Sequence, residues 1–344
     1  MHFRRRLRKV LFWTTVVLLA SLSGGIWFAY IYVTDSETIA RLVRTEAPRY
    51  LPGSRVELSR AKIRLFIGEV NLTQVMLRQV IDGKTFLTGR VPWLNIRHDP
   101  WLMLEGKFEP SEVVAAMPTL RLRRRGDGTW NLQGLFASPW PGPLMKTPPI
   151  IIQNGTVELA GEDDLQSPAA AILRDVTVRI ESAGPAKLKF EGTAKGDTFD
   201  RLSVRGTVDI TTGRVELAGD LARLTISEPL RGRIPAEFRP IVNQLGLTSG
   251  EVDLKFNRVT YDPETDPTIH YDIAGHLHAG VLTCPKMPFP LNDLTAGFAV
   301  RDGVLSLERA EGYYGTTTVR VERGLITLGD PERVSGHRGS RTSC

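Results

Sequence analysis

The chain has 344 residues, 42% hydrophobic and 24% charged, a balance typical of a globular protein rather than a disordered one. Its two cysteines, Cys284 and Cys344, exclude a disulfide framework and a cysteine-based metal site. Of the 44 basic residues, Arg4, Arg5, Arg6, Arg8 and Lys9 stand in the first nine positions; the other 39 face 38 acids, a net charge of +1, so charge gives no argument for nucleic acid.

Residues 1–9 read as a cytoplasmic basic tail and 10–33 as a transmembrane anchor. The 24 residues of the second stretch carry no charge, and as a helix at ~1.5 Å per residue they would span ~36 Å. Phe12 and Trp13 at one end and Trp27, Phe28, Tyr30 and Tyr32 at the other suit the two interfaces. The basic cluster stays inside, which sends the bulk of the chain across the membrane. A cleaved signal peptide ending near Ser21-Leu22-Ser23 is the rival reading, but the apolar run continues to Val33.

A short helix is expected over 34–48, capped by Thr34, Asp35 or Ser36, with Ile39, Leu42 and Val43 as its apolar stripe. It reads as a stalk packed on the first strand. Residues 55–137 form an N-terminal β segment with runs at Val56–Leu58, Ile63–Ile67, Val70–Leu77, Phe86–Leu87, Val91–Ile96 and Trp101–Leu104. Arg121, Arg123 and Arg125 share one face of the next run, ahead of a Gly-Asp-Gly turn. Five prolines mark 138–149 as a joint.

From 150 to 328 the pattern is almost wholly of amphipathic strands, with one helix expected over 235–245. Val252, Leu254 and Phe256 alternate with Glu251, Asp253 and Lys255; Ile269, Tyr271, Ile273, Leu277, Ala279 and Val281 alternate with His270, Asp272, His276 and His278. Leu294, Ala296, Phe298 and Val300 form a third set. The form G-x-V-E-L-A-G occurs at 155–161 and 213–219, a weak repeat. Residues 329–344 read as a disordered or truncated tail. With no helix in sight to cover it, a sheet with one apolar face must close on itself, meet a second sheet or hold something apolar.

Catalytic signals are missing: there is no nucleophile elbow, P-loop, dinucleotide fingerprint or CxxC. His276 and His278 point the same way on a strand and could share a metal, but they sit in the polar phase without a further ligand cluster. No enzyme activity, metal or cofactor is expected.

The layout resembles the AsmA-like family and its TamB-type relatives. The likeness lies in the anchor, the short helix and the strands, and in three segments. Gly126-Asp127-Gly128-Thr129-Trp130-Asn131-Leu132 is similar to a recurrent family hairpin. Pro288-Phe289-Pro290-Leu291-Asn292-Asp293-Leu294-Thr295-Ala296-Gly297 is similar to a family segment that precedes a strand, and Arg301-Asp302-Gly303-Val304-Leu305-Ser306-Leu307, followed by Gly312-x-x-Gly315, resembles its continuation. The resemblance implies a mainly β fold: an elongated, curved antiparallel sheet forming a taco-like groove behind a transmembrane helix, with few short helices. It implies a single-pass inner-membrane protein with a periplasmic body that binds phospholipid acyl chains, contributes to inter-membrane lipid transport and outer-membrane biogenesis, and has outer-membrane or envelope assembly proteins as partners. Residues expected to line the groove are Leu188, Phe190, Leu202, Val204, Val208, Ile210, Val252, Leu254, Phe256, Ile269, Tyr271, Ile273, Leu277, Leu294, Phe298, Val300, Val319 and Val321. The alternative is an anchored scaffold or assembly factor for envelope proteins, with a closed β core and no lipid cargo.

Overall fold

The computed structural model describes residues 36–37, 40–41, 44–45, 54–64, 67–81, 84–105, 109–123, 131, 148–160, 171–184, 186–228, 230, 246–265, 267–283 and 289–327. The basic tail, the 10–33 anchor, the body of the 138–149 joint, the helix expected over 235–245 and the 329–344 tail lie outside them. Among the described residues no helix is long and apolar enough to cross a membrane.

The fold is mainly β, with few helices and a mixed sheet of sixteen strands. They are β1 (Ser54–Glu57), β2 (Arg60–Arg64), β3 (Glu69–Ile81), β4 (Lys84–His98), β5 (Pro110–Ala116), β6 (Thr119–Arg123), β7 (Ile150–Ala160) and β8 (Ala171–Gly184). There follow β9 (Lys187–Gly196), β10 (Arg201–Asp209), β11 (Val215–Ile226), β12 (Leu247–Tyr261), β13 (Ile269–Leu282), β14 (Leu291–Arg301), β15 (Val304–Tyr314) and β16 (Thr317–Thr327). The chain divides into two compact units, Met1–Val113 and Val114–Cys344.

In the first unit β2, β3 and β4 form an antiparallel ladder in which Arg60, Thr73 and Trp93 lie side by side, as do Ala61, Leu72 and Leu94. Burial along β2 alternates strictly: Ala61 and Ile63 are buried while Arg60, Lys62 and Arg64 are exposed. The buried set joins Leu58, Val70 and Leu72 in a core that also contains Ala40. Ala40 belongs to a helical segment whose described members are Ser36, Glu37, Ala40, Arg41, Arg44 and Thr45. Two hydrogen bonds tie it down: Ala61 N donates to Ser36 Oγ (3.1 Å) and Arg44 donates to the Leu58 carbonyl (3.3 Å). The helix therefore covers the apolar face of these strands, and a small residue at 40 sets how closely it approaches.

Two local expectations fail here. Trp101–Leu104 is not strand but part of a short helix, Pro100–Leu104. Asp99 accepts a hydrogen bond from Trp101 N (2.8 Å), and proline at the first helical position completes a helix start that outweighs the apolar run. Ile67 lies in the turn between β2 and β3, where Gly68 (φ 68°) reverses the chain. In addition, β5 has no alternation that marks it as a strand in the sequence.

In the second unit β7 to β16 are joined in chain order, each antiparallel to the next. The expectation of an all-antiparallel sheet is corrected at β6, which runs parallel to β7, with Leu120 beside Val157 and Leu122 beside Leu159. A parallel neighbour needs a connection of a dozen residues or more, and 124–149 provides it. Asn131, the described member of the Gly-Asp-Gly-Thr-Trp-Asn-Leu segment, is buried against β6. Its side chain donates to Arg121 O (3.0 Å) and accepts from Arg123 N (3.1 Å), standing in for a neighbouring strand.

Candidate functional site: the apolar face of the second unit

Directly opposed residues in an antiparallel ladder share a face, so the registers fix which side chains line up. One row crosses all ten strands from β7 to β16: Ile152, Val178, Gly192, Val204, Gly219, Phe256, Ile273, Val300, Leu305 and Ile326. Every member is buried or half-buried. Nine steps of ~4.8 Å make this row roughly 43 Å long along the sheet. A parallel row holds Ala194, Leu202, Leu221, Leu254, Gly275, Phe298 and Leu307.

The expected lining residues fall on this face with one exception. Leu188 pairs with Val208, Phe190 with Gly206, Val252 with Leu277, and Ile269 and Tyr271 with Tyr261 and Val259. Leu294 sits beside Gly280, while Val319 and Val321 oppose Gly312 and Ala310. The exception is Ile210, in the turn after β10, where its N–H donates to Ala186 O. Ile269 and Val321, at 44% and 41% exposure, are the outermost of the set.

The strict alternation expected along β13 breaks at Ala279. That residue has φ 49°, is exposed, and is the extra residue between the pairs Leu277–Ala296 and Gly280–Leu294. The apolar phase continues through Gly280 and Leu282, not through Ala279 and Val281. Similar insertions with positive φ occur at Asn154, Asp175, Arg223, Asp293 and Arg309. Each shifts the phase by one residue and increases the local twist. Phe256 and Val259 share the face for the same reason, across a slip next to Asn257.

Glycine is the second feature absent from the expected lining. Gly192, Gly219 and Gly275 lie in these two rows, and Gly206 lies on the same face opposite Phe190 and Leu217. A Cβ at Gly206 would stand 2.7 Å from Phe190 Cζ, so the phenyl ring occupies the place of the missing side chain. A glycine inside a strand is the signal that could have found these positions.

Among the described residues one end of the face is closely packed, around Val252, Leu277, Leu294 and Ala296, with Leu224, Leu247 and Leu282 against them. Elsewhere the apolar side chains are half-buried by their own neighbours. Among the described residues no element packs across them: elements in substantial contact are hydrogen-bonded neighbours.

The opposite face is charged and wet. Asp272 on β13 accepts hydrogen bonds from Asn257 (3.1 Å) and Arg301 (2.6 Å), which hold its carboxyl below the usual aspartate range. The Thr211 hydroxyl does the same for Asp209, helped by the Thr212 N–H. Glu311 raises the pKa of Arg320 through a bidentate pair. Arg121 pairs with Glu158 across the parallel strands at 2.6 Å. His276 and His278 are exposed here, and His278 lies 3.3 Å from Asp253. Among the described residues no group of three His, Cys, Asp or Glu could hold a metal ion.

No family model and no curated protein matches this chain.

Proposed function

We propose that the second unit binds phospholipid acyl chains along its apolar face. In this reading the protein is held in the inner membrane by residues 10–33, its body lies in the periplasm, and it contributes to inter-membrane lipid transport and outer-membrane biogenesis. The observation that carries the reading is the ten-strand apolar row with no described element packed across it. Moving acyl chains out of a bilayer exposes them at about 0.8 kcal/mol per CH₂, so a continuous apolar surface lowers the barrier without catalytic groups. At Gly206 and Gly275 the rings of Phe190 and Phe298 lie where a side chain would stand, which keeps the surface apolar across those strands. The AsmA-like resemblance supports the same reading. The scaffold alternative requires a second layer on this face, and none of the described elements supplies one.

The test is site-specific photo-crosslinking in the full chain. A benzophenone amino acid at Phe256 or Phe298 should yield phosphate-labelled lipid adducts in cells, and one at Lys255, in the opposite phase, should not. Equal labelling at 255 and 256, or none at either, would sink the proposal.

A further inference from the structure

The first unit carries a face that its own core does not use. Arg60, Lys62 and Arg64 project from β2 on the side away from Ala61 and Ile63, and Trp93 stands in the same ladder row as Arg60, 59% exposed. These residues border one shallow concavity with Glu69, Asn71, Thr73, Gln74 and Pro92, a lining of three cations against one carboxylate. Among the described residues no carboxylate pairs with Arg60 or Lys62, and Arg64 reaches Glu69 at only 3.8 Å. Three cations beside an exposed indole suit an anionic surface with an apolar interior. Indole prefers the layer between water and hydrocarbon, and basic residues are drawn to anionic headgroups.

Chain geometry keeps β2, the strand that carries this face, near the end of the expected anchor. Ser36 Oγ is hydrogen-bonded to Ala61 N of β2, and Ser36 is three residues beyond Val33, where the apolar run ends. Three residues reach at most about 11 Å, so β2 lies close to the end of that run. The helical segment starts at Ala61 and proceeds toward Leu58, where Arg44 is bound. In the β2–β3 turn Ile67 is 65% exposed, and Trp101 of the neighbouring helix is 75% exposed.

We propose that this basic, tryptophan-bearing face of the first unit docks on an anionic lipid bilayer surface where the chain leaves the membrane. The proposal rests on the anchor of the functional reading but not on acyl binding by the second unit. Docking fixes the orientation of the first unit on the membrane.

The experiment uses the full chain in nanodiscs of phosphatidylcholine alone or mixed with phosphatidylglycerol. Acetylation of Lys62 is followed by peptide mass spectrometry, with exposed Lys255 of the second unit as reference. Each basic residue near an anionic surface contributes about a fivefold factor, so Lys62 should react about fivefold more slowly in the anionic discs. The protection should disappear in high salt and in the Arg60→Glu/Arg64→Glu variant, while Lys255 is unchanged. Equal Lys62 rates in the two discs, measured on the unaltered protein, would overturn the proposal. Co-elution with neutral discs reads the anchor separately. A chain that joins only anionic discs, with Lys62 protected, would sink the anchor and keep the docking face.

Discussion

The ring of Phe298 on β14 lies over Gly275 on β13, so that a Cβ at 275 would stand 2.4 Å from Phe298 Cζ. Phe190 and Gly206 repeat the arrangement on β9 and β10. The two pairs lie in different rows of one apolar face. In each, a glycine that would weaken a strand is covered by a phenyl ring from the strand beside it.

Gly275→Ala should therefore lower the stability of the second unit by about 1–3 kcal/mol through overpacking. Phe298→Leu in the same chain should recover only part of the loss, because the added Cβ also meets Asp253 O at 2.9 Å. Denaturant midpoints of the two single variants and the double variant give the coupling energy. A neutral Gly275→Ala would show that the ring is not held there.

Ala279 tests the bulges. At φ 49° an L-residue is disfavoured by ~1–2 kcal/mol, while glycine is not. After the entropic penalty of glycine, Ala279→Gly should be neutral or stabilising by up to ~1 kcal/mol. Ala296→Gly, at a buried position with ordinary strand backbone, should be destabilising. Chemical denaturation of both variants would show whether the insertion sits at residue 279.

In the first unit Ala40→Leu should cost about 1–3 kcal/mol, since Ala40 is only 6% exposed in a core that includes the fully buried Ala61. Ser36→Ala should cost about 0.5–1.5 kcal/mol for the hydrogen bond to Ala61 N. Hydrogen exchange of the β2 amides should accelerate in both variants, with β12 to β14 unaffected.

The pH dependence of the second unit has a defined sign. Asp272 is held below its ordinary pKa of about 4, so its contribution is present above that value. It is lost as pH falls through the lowered folded-state pKa. Asp272→Asn should reduce stability at neutral pH and flatten the loss on acidification below about pH 4. An unchanged acid limb in the variant would assign that limb to other carboxylates.

Phe256→Asp places a carboxylate in the middle of the ten-strand row. Lipid adducts formed by a photoreactive group at 298 should fall sharply, while circular dichroism retains the strand signal. Undiminished adducts would mean that the row does not carry acyl chains.

Much of this architecture is legible locally. The exposed-buried alternation of Arg60–Arg64 and the pairing of Leu188 with Val208 follow from a side-chain period of two, a property of the extended backbone itself. The charged face and the turn at Asp302-Gly303 are local as well. Local signals fail where the answer lies on another strand. Nothing around Ala279 announces an extra residue, because a bulge exists only relative to the register of β14. The short helix at Pro100 depends on Asp99 as its cap, a one-residue signal that the strand-like apolar run after it conceals in the sequence.

The sequence by itself determined that the chain is an amphipathic β protein with a neutral body and a charged N-terminal end. These properties follow from residue type and spacing along the chain. Only the tertiary structure decided that Phe298 covers Gly275, that β6 runs parallel to β7, and that the helix at Ala40 covers the first unit's strands. It also decided which half-strands join into one apolar row across β7 to β16. Those facts depend on which residues oppose one another across hydrogen-bonded strands, and that choice depends on contacts between residues far apart in the chain.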